Sequence, residues 1–237
     1  MYSFESRIRY SELDASEKLS IPALVNYFQD CSTFQSEELG VGLKYLHPRN
    51  LAWVVSSWQI QINRLPNLCE DVIIGTLPYE IKGFIGLRNF VMKTKSGEQL
   101  AIANSQWTLL DMDRMVPVRA DDNMISRYKP EPKLDMEYAP RKITYPAEVE
   151  VVVKDTFLVQ SFHMDGNGHV NNAQYINMSM PYVDAEREIN QIRVEYKGQA
   201  HEGDTIVPKI VHLPDKQIVL LEDTEGSVYT VTEFTFL

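Results

Sequence analysis

Phe162-His163-Met164-Asp165-Gly166-Asn167-Gly168-His169-Val170-Asn171-Asn172-Ala173-Gln174-Tyr175-Ile176 sets a carboxylate, an amide and an imidazole at alternate positions directly before a helical pattern. Gly166 and Gly168 permit backbone angles that other residues resist, so the turn can aim Asp165, Asn167 and His169 towards one place. The start of the following helix offers unpaired N–H groups and the positive end of its macrodipole, donors suited to an oxyanion, and the backbone N–H groups of His169 and Val170 are the candidates. Taken singly, these residues also fit a plain helix cap, with Asn171 or Asn172 capping the first turn and Asp165 binding backbone N–H groups. A cap does not require carboxylate, amide and imidazole together. His169 also shares helical spacing with Ala173, Ile176 and Met180, so it heads an apolar stripe.

Working outward, a strand over 149–159 precedes this turn, a helix runs from about Asn171 to Glu188, and strands follow from Arg193. The first half has the same order. A short alternating stretch, Ser6-Arg7-Ile8-Arg9-Tyr10, leads through the polar turn 12–18 into a helix from about Ser20, whose Ile21, Leu24, Val25, Phe28 and Cys31 recur at threes and fours. Pro22 fits its first turn and Gly40 and Gly42 its end. Strands are then expected over 53–63, 71–82, 85–95 and 100–111, separated by Pro66-Asn67, Lys82-Gly83 and Ser96-Gly97. A spacing of 151 lays Leu13-Asp14 on Met164-Asp165 and Leu19 on Val170, and a spacing of 133 lays Glu70-Asp71-Val72 on Gly203-Asp204-Thr205. Strand, polar turn, helix and meander, twice over, are what an internal duplication leaves. The expected domains are 1–128 and 147–237, with the polar, proline-bearing stretch 129–146 as linker.

The chain has 237 residues, 44% apolar and 24% charged, and exceeds the ~100–150 residues of a common single domain, in keeping with two. Apolar runs stay short of the ~18 residues of a membrane span, and the start lacks a secretory pattern, so membrane insertion and export are not expected and a cytoplasmic location is. Two cysteines, Cys31 and Cys69, are too few for a disulfide framework. The 23 Lys plus Arg against 33 Asp plus Glu give a net charge of −10, which disfavours nucleic acid as a partner. A local basic patch for an acidic partner would have to draw on Arg7, Arg9, Lys44, Arg49, Arg64, Arg141 and Lys142.

The run Asp165-Gly-Asn167-Gly-His169-Val-Asn-Asn-Ala-Gln-Tyr175-Ile resembles the D-x-N-x-H-V-N-N-x-x-Y signature of plant and bacterial acyl-acyl carrier protein thioesterases, and the stretch from Arg9 to Gly40 is similar to the start of that family's first domain. The resemblance implies an α+β chain of two tandem hot-dog domains, each a helix wrapped by an antiparallel β-sheet. It implies hydrolysis of the thioester of fatty acyl-acyl carrier protein, releasing free fatty acid and ending chain elongation. It places the family's catalytic residues on Asp165, Asn167 and His169. Plant members carry a Glu-Cys pair after a Glu-Tyr-Arg-Arg stretch, whereas here Glu195-Tyr196-Lys197-Gly198 leads to Gln199-Ala200. A cysteine nucleophile is absent there, and Gln199, Glu195 and Glu202 are the supporting candidates. Gln199 can orient water but cannot take its proton.

Activated water without a covalent acyl-enzyme is therefore expected, with His169 or Asp165 as the base; the favoured arrangement has Asp165 fixing the site, His169 handling protons and Asn167 holding water or thioester. Ser16 and Lys18 stand in the first half where Asn167 and His169 stand in the second, so that half is expected to hold the acyl chain, with Trp53, Trp58, Phe84 and Trp107 as lining candidates. The alternatives are an acyl-coenzyme A thioesterase, a hot-dog hydratase or dehydratase, and a non-catalytic module that binds acyl carrier protein. No metal or organic cofactor is implied, and the chain would be a monomer or a homodimer.

Overall fold

The computed structural model describes residues 1–166 and 168–237. Its contacts divide the chain into two compact units, one of Met1–Ser56 and Ile62–Tyr138, the other of Ser57–Gln61 and Ala139–Leu237.

The first unit contains β1 (Tyr2–Arg7), α1 (Ile21–Glu38), α2 (Leu43–Leu46), most of the register-bearing strands β2 (Leu51–Ile62), β3 (Asp71–Lys82), β4 (Ile85–Thr94) and β5 (Gln99–Asp111), then β6 (Val116–Pro117) and α3 (Asp122–Arg127). The strands run in the order β1-β3-β4-β5, all antiparallel, with β6 on β5. α1 begins where the Ser20 hydroxyl accepts the Ala23 N–H and Pro22 occupies the first turn, where its missing N–H costs nothing. It stops at a Schellman motif. Gly40 is left-handed, its N–H reaches Glu37 O, and the Val41 N–H reaches Ser36 O. The apolar stripe of α1 is buried on the sheet, with Phe28 tilted against Phe90 of β4 at 5.2 Å.

The second unit contains β7 (Val151–Val153), β8 (Phe157–Leu158), α4 (Asn172–Ser179), β9 (Ile189–Tyr196), β10 (Thr205–His212), β11 (Lys216–Glu222) and β12 (Val228–Phe236). Its antiparallel order is β9-β12-β11-β10-β7, with β8 on β10, and Ser57–Gln61 of β2 pairs with β9. Each unit is thus a helix against an antiparallel sheet, the α+β hot-dog arrangement expected. Two expected elements are shorter than their patterns suggested. α4 ends at Ser179 rather than near Glu188, because Pro181 has no N–H with which to continue the ladder and the chain tightens into a 3-10 turn over Met180–Tyr182. The strand over 149–159 is split into β7 and β8. Val153 pairs with Lys209 and Leu158 with Thr205, five residues against four, and the interruption falls opposite Pro208, which has no N–H to donate.

The stretch 129–146 is packed rather than loose. Leu134 and Met136 cover Leu77, Val91 and Ile102 in the first unit, and Ile143 joins Val211, Ile218, Leu220 and Val231 in the second.

The turn and cap that open the helix recur in the two units. A 3-10 turn occupies Tyr10–Glu12 and Ser161–His163, an isolated bridge joins Leu13 to Leu19 and Met164 to Val170, and the helix caps are Ser20 and Asn171, all at a spacing of 151. Further along the spacing is 134, not 133. The Ile8 N–H donates to Glu70 O at 3.0 Å and the Val159 N–H to Asp204 O at 2.9 Å, which aligns Glu70 with Asp204.

Candidate active site

The turn before α4 is closed by its own backbone. The Asp165 N–H donates to His169 O at 2.7 Å, the Gly168 N–H to Asp165 O at 3.1 Å, and the His169 N–H to Asp165 Oδ1 at 3.3 Å. Gly168 makes this possible with φ of 76°, a conformation costly for any residue with a Cβ. The first unit builds the same turn, where the Asp14 N–H donates to Lys18 O at 2.9 Å and the Lys18 N–H to Asp14 Oδ1 at 3.4 Å. The Asp-to-backbone bond is therefore a property of the turn. What distinguishes the second unit is an imidazole on a half-buried His169 where the first unit has an exposed lysine. Asn167 lies outside the described residues.

His163 supports the turn from below. It is buried, its Nδ1 accepts the Gln160 N–H at 2.9 Å, and burial lowers its pKa, so it stays neutral and structural; Glu12 caps the Arg9 N–H in the same place in the first unit. The Asn171 side chain accepts the Ala173 N–H at 2.9 Å, which starts α4 one residue later than expected.

One face of α4 ties the turn to the end of β9. The Tyr175 hydroxyl, buried and with its pKa pushed up to about 12 by desolvation, accepts the Ala200 N–H at 2.8 Å, while Ala200 O accepts the Val170 N–H at 3.4 Å. Tyr196 donates to Asn172 O at 3.0 Å, and burial raises its phenol too. Segment 198–201 therefore runs alongside the turn, and the His201 ring lies 5.8 Å from that of His169.

These bonds sort the supporting candidates. Gln199 adjoins Ala200, beside the turn, and is half-buried. Glu202 is exposed on the turn closed by the Asp204 N–H to His201 O bond. Glu195 is placed elsewhere. Side chains alternate along β9, so Tyr196 faces α4 while Glu195, 3% exposed, faces the other way, where the Ile143 N–H reaches it at 3.3 Å and Arg141 at 3.8 Å. The two expected oxyanion donors already have acceptors, Asp165 Oδ1 for His169 and Ala200 O for Val170. Both bonds are long, and an incoming oxyanion would have to displace them.

Both cysteines belong to the first unit. Cys31 is buried on α1, donating to Ile74 O at 3.6 Å, and desolvation pushes its thiol up to about 12. Cys69 is exposed in the first unit, left-handed at φ 64°. Of the lining candidates, Trp53 packs on the Val41 and Leu109 cluster, Trp107 Nε1 donates to Ser105 Oγ at 2.7 Å, Phe84 is exposed at a hairpin tip, and Trp58 is buried in the stretch of β2 that belongs to the second unit. A pocket of about 380 Å³ lies past the other end of α4, lined by Tyr182, Asp184, Arg187 and Lys216 among others, and none of the motif residues reaches it.

The model of the acyl-ACP thioesterase N-terminal domain matches residues 1–128, and that of the C-terminal domain matches residues 146–229. The chain belongs to the acyl-ACP thioesterase family. Within that family it is 23% identical to a chloroplastic acyl-(acyl-carrier-protein) hydrolase of Cuphea viscosissima over 96% of this chain and 60% of that one. It spans only half the length of another hydrolase of the same plant. Solved structures of an acyl-ACP thioesterase from Bacteroides thetaiotaomicron (TM-score 0.87, 19% identity, 99% of this chain and 97% of that) and of the 12:0-ACP thioesterase from Umbellularia californica (TM-score 0.84, 18% identity, 100% and 98%) share the fold. Among the described residues, no helix is long and apolar enough to cross a membrane, and no group of three His, Cys, Asp or Glu is placed to hold a metal ion.

Proposed function

We propose that this chain hydrolyses the thioester of fatty acyl-acyl carrier protein, releasing free fatty acid and ending chain elongation. The observation that carries the reading is the contrast between two otherwise matching turns. Asp14 and Lys18 close the first, while Asp165 and His169 close the second, at the head of α4 and beside segment 198–201. A fold that needs only the turn has no use for the imidazole.

Water attacks the thioester carbonyl while His169 takes its proton. Asp165 holds the turn that presents the imidazole, and Asn167 holds water or the thioester by hydrogen bonds. Backbone N–H groups of His169 and Val170, once released from their present acceptors, stabilise the tetrahedral oxyanion, a kind of effect that amounts to about 2.7–4 kcal/mol for one donor in a serine protease. Gln199 and Glu202 border the site as supporting groups. The raised thiol of Cys31 disfavours an acyl-enzyme on that residue, in keeping with direct hydrolysis. The domains of the reading are 1–128, which holds the acyl chain, 129–146, which connects, and 147–237, which carries the chemistry. The two free thiols suit a reducing compartment, and we place the enzyme in the cytoplasm.

The test is free-thiol release from matched acyl-carrier-protein and acyl-coenzyme A substrates over a series of chain lengths. Higher kcat/KM for the carrier-protein substrates supports the reading, and higher kcat/KM for the coenzyme A substrates replaces it with an acyl-coenzyme A thioesterase. Tight binding of acyl carrier protein with no thiol release leaves a binding module instead.

A further inference from the structure

His169 faces a second imidazole that the family motif does not contain. The His201 ring lies 5.8 Å from it, with the planes at 62°. Their proximity is built into the fold. The equivalent residues of the first unit, Lys18 and Asn67, form an isolated antiparallel bridge, so the two positions are cross-strand neighbours. Only the second unit fills both with histidine. Below His201 lies Asp204, whose Oδ2 accepts the His201 backbone N–H at 2.8 Å and the Tyr229 hydroxyl at 3.3 Å, with His201 Nδ1 3.7 Å away. The backbone bond belongs to the turn, since the Asn67 N–H donates to Glu70 Oε2 at 3.0 Å in the first unit. There Glu70 is held by Arg64; in the second unit the matching carboxylate borders an imidazole instead.

We propose that His201, oriented by Asp204, is a second proton-handling group of the site and the acid that protonates the departing thiolate. This rests on the thioester-hydrolase reading above. Hydrolysis needs two proton transfers of opposite sense. Water loses a proton as the C–O bond forms, and sulfur gains one as the C–S bond breaks. His169 takes the first proton and His201 gives the second from Nε2, the ring nitrogen on the side away from Asp204, whose Oδ2 lies 3.7 Å from Nδ1. His169 then returns its proton through solvent to His201. The sum is thioester plus water to fatty acid plus thiol. The titratable groups on the elements around His201 are Asp165 and His169 on the motif turn, Glu202 and Asp204 on its own turn, and Tyr229 on β12. Tyr229 is pushed up to about 12, first by desolvation, and stays a donor. The His201 side chain is 63% exposed and open to substrate.

His201→Asn is the test variant, because asparagine is the residue the first unit folds with at this position. Wild type and variant are compared on an acyl-pantetheine thioester, whose alkyl thiolate needs a proton to leave, and on an acyl thioester of 5-thio-2-nitrobenzoate, whose anion leaves without one. The expected result is a kcat loss of about 10²-fold on the first substrate and under about threefold on the second, with KM little changed. Asp204→Asn should show the same leaving-group dependence at smaller size. Equal losses on both substrates, or undiminished kcat on the pantetheine thioester, overturn the proposal. If wild type turns over and His169→Ala abolishes it while His201→Asn does not, the hydrolase reading stands and only the role of His201 falls. If wild type releases thiol from neither substrate, both fall.

Discussion

Glu17 and Cys69 sit in left-handed backbone, at φ 62° and 64°, where the second unit has Gly168 and Gly203 at the matching places, at φ 76° and 88°. A side chain there costs about 1–2 kcal/mol, and glycine returns about 0.5–1 through the freedom of the unfolded chain. Glu17→Gly should therefore raise stability by about 0.5–1 kcal/mol in denaturant titration, while Gly168→Ala should lower it by about 1 kcal/mol or more and also disturb the Asp165 turn. A stabilised Gly168→Ala would contradict the strain. Tyr175→Phe tests the tie between α4 and segment 198–201. It leaves the buried Ala200 N–H without its acceptor, a loss of about 1–3 kcal/mol, and kcat should fall with it because the neighbouring segment borders His169. Unchanged stability and kcat would show that the bond is dispensable. At this scale the turn that joins Asp165 to His169 was legible in the sequence, because its bonds are local. Glu195 was misplaced because the face of a strand residue depends on register, which composition does not set. His201 escaped because a spacing of 133 rather than 134 put its partner one residue out.

At the scale of elements, caps and strand patterns were readable where they are local. Ser20, Pro22 and Gly40 mark both ends of α1, and β3, β4 and β5 fall within a residue of their β-branched runs. The end of α4 was not read, since Pro181 was outweighed by apolar residues that continue beyond it. The split between β7 and β8 depends on Pro208 of another strand, and no local pattern reports that. The turns flanking β3 and β4 are clamped by Arg64, whose Nη2 contacts Glu70 Oε1 and Glu98 Oε2, both at 2.7 Å. The guanidinium holds both carboxyls below the usual range. A lowered folded-state pKa means stabilisation that is full above the ordinary carboxylate value and is lost as pH falls through the lowered one. The Tm difference between wild type and Arg64→Ala should therefore be largest near pH 7 and shrink in acid. A difference that grows on acidification would contradict the assignment.

For the whole chain, duplication explains both what the units share and where they differ. Strand, turn, helix and meander recur with the same bridges and caps, but only the second unit has histidine at the turn. The repeat was visible in the order of patterns, while its loop register needed hydrogen bonds to fix. Of the basic residues that an acidic carrier could use, Arg7 pairs with Asp71, Arg9 with Glu12, Arg64 with Glu70 and Glu98, and Arg141 approaches Glu195. The net charge of −10 therefore leaves docking to a few residues rather than to a broad field. The measurement that bears most directly on the central claim is free-thiol release from acyl-acyl carrier protein by wild type beside His169→Ala and Asp165→Asn, with folding followed by thermal melting. The predicted result is a kcat loss of about 10²-fold or more for His169→Ala with a Tm close to wild type. Undiminished thiol release by a folded His169→Ala would contradict it.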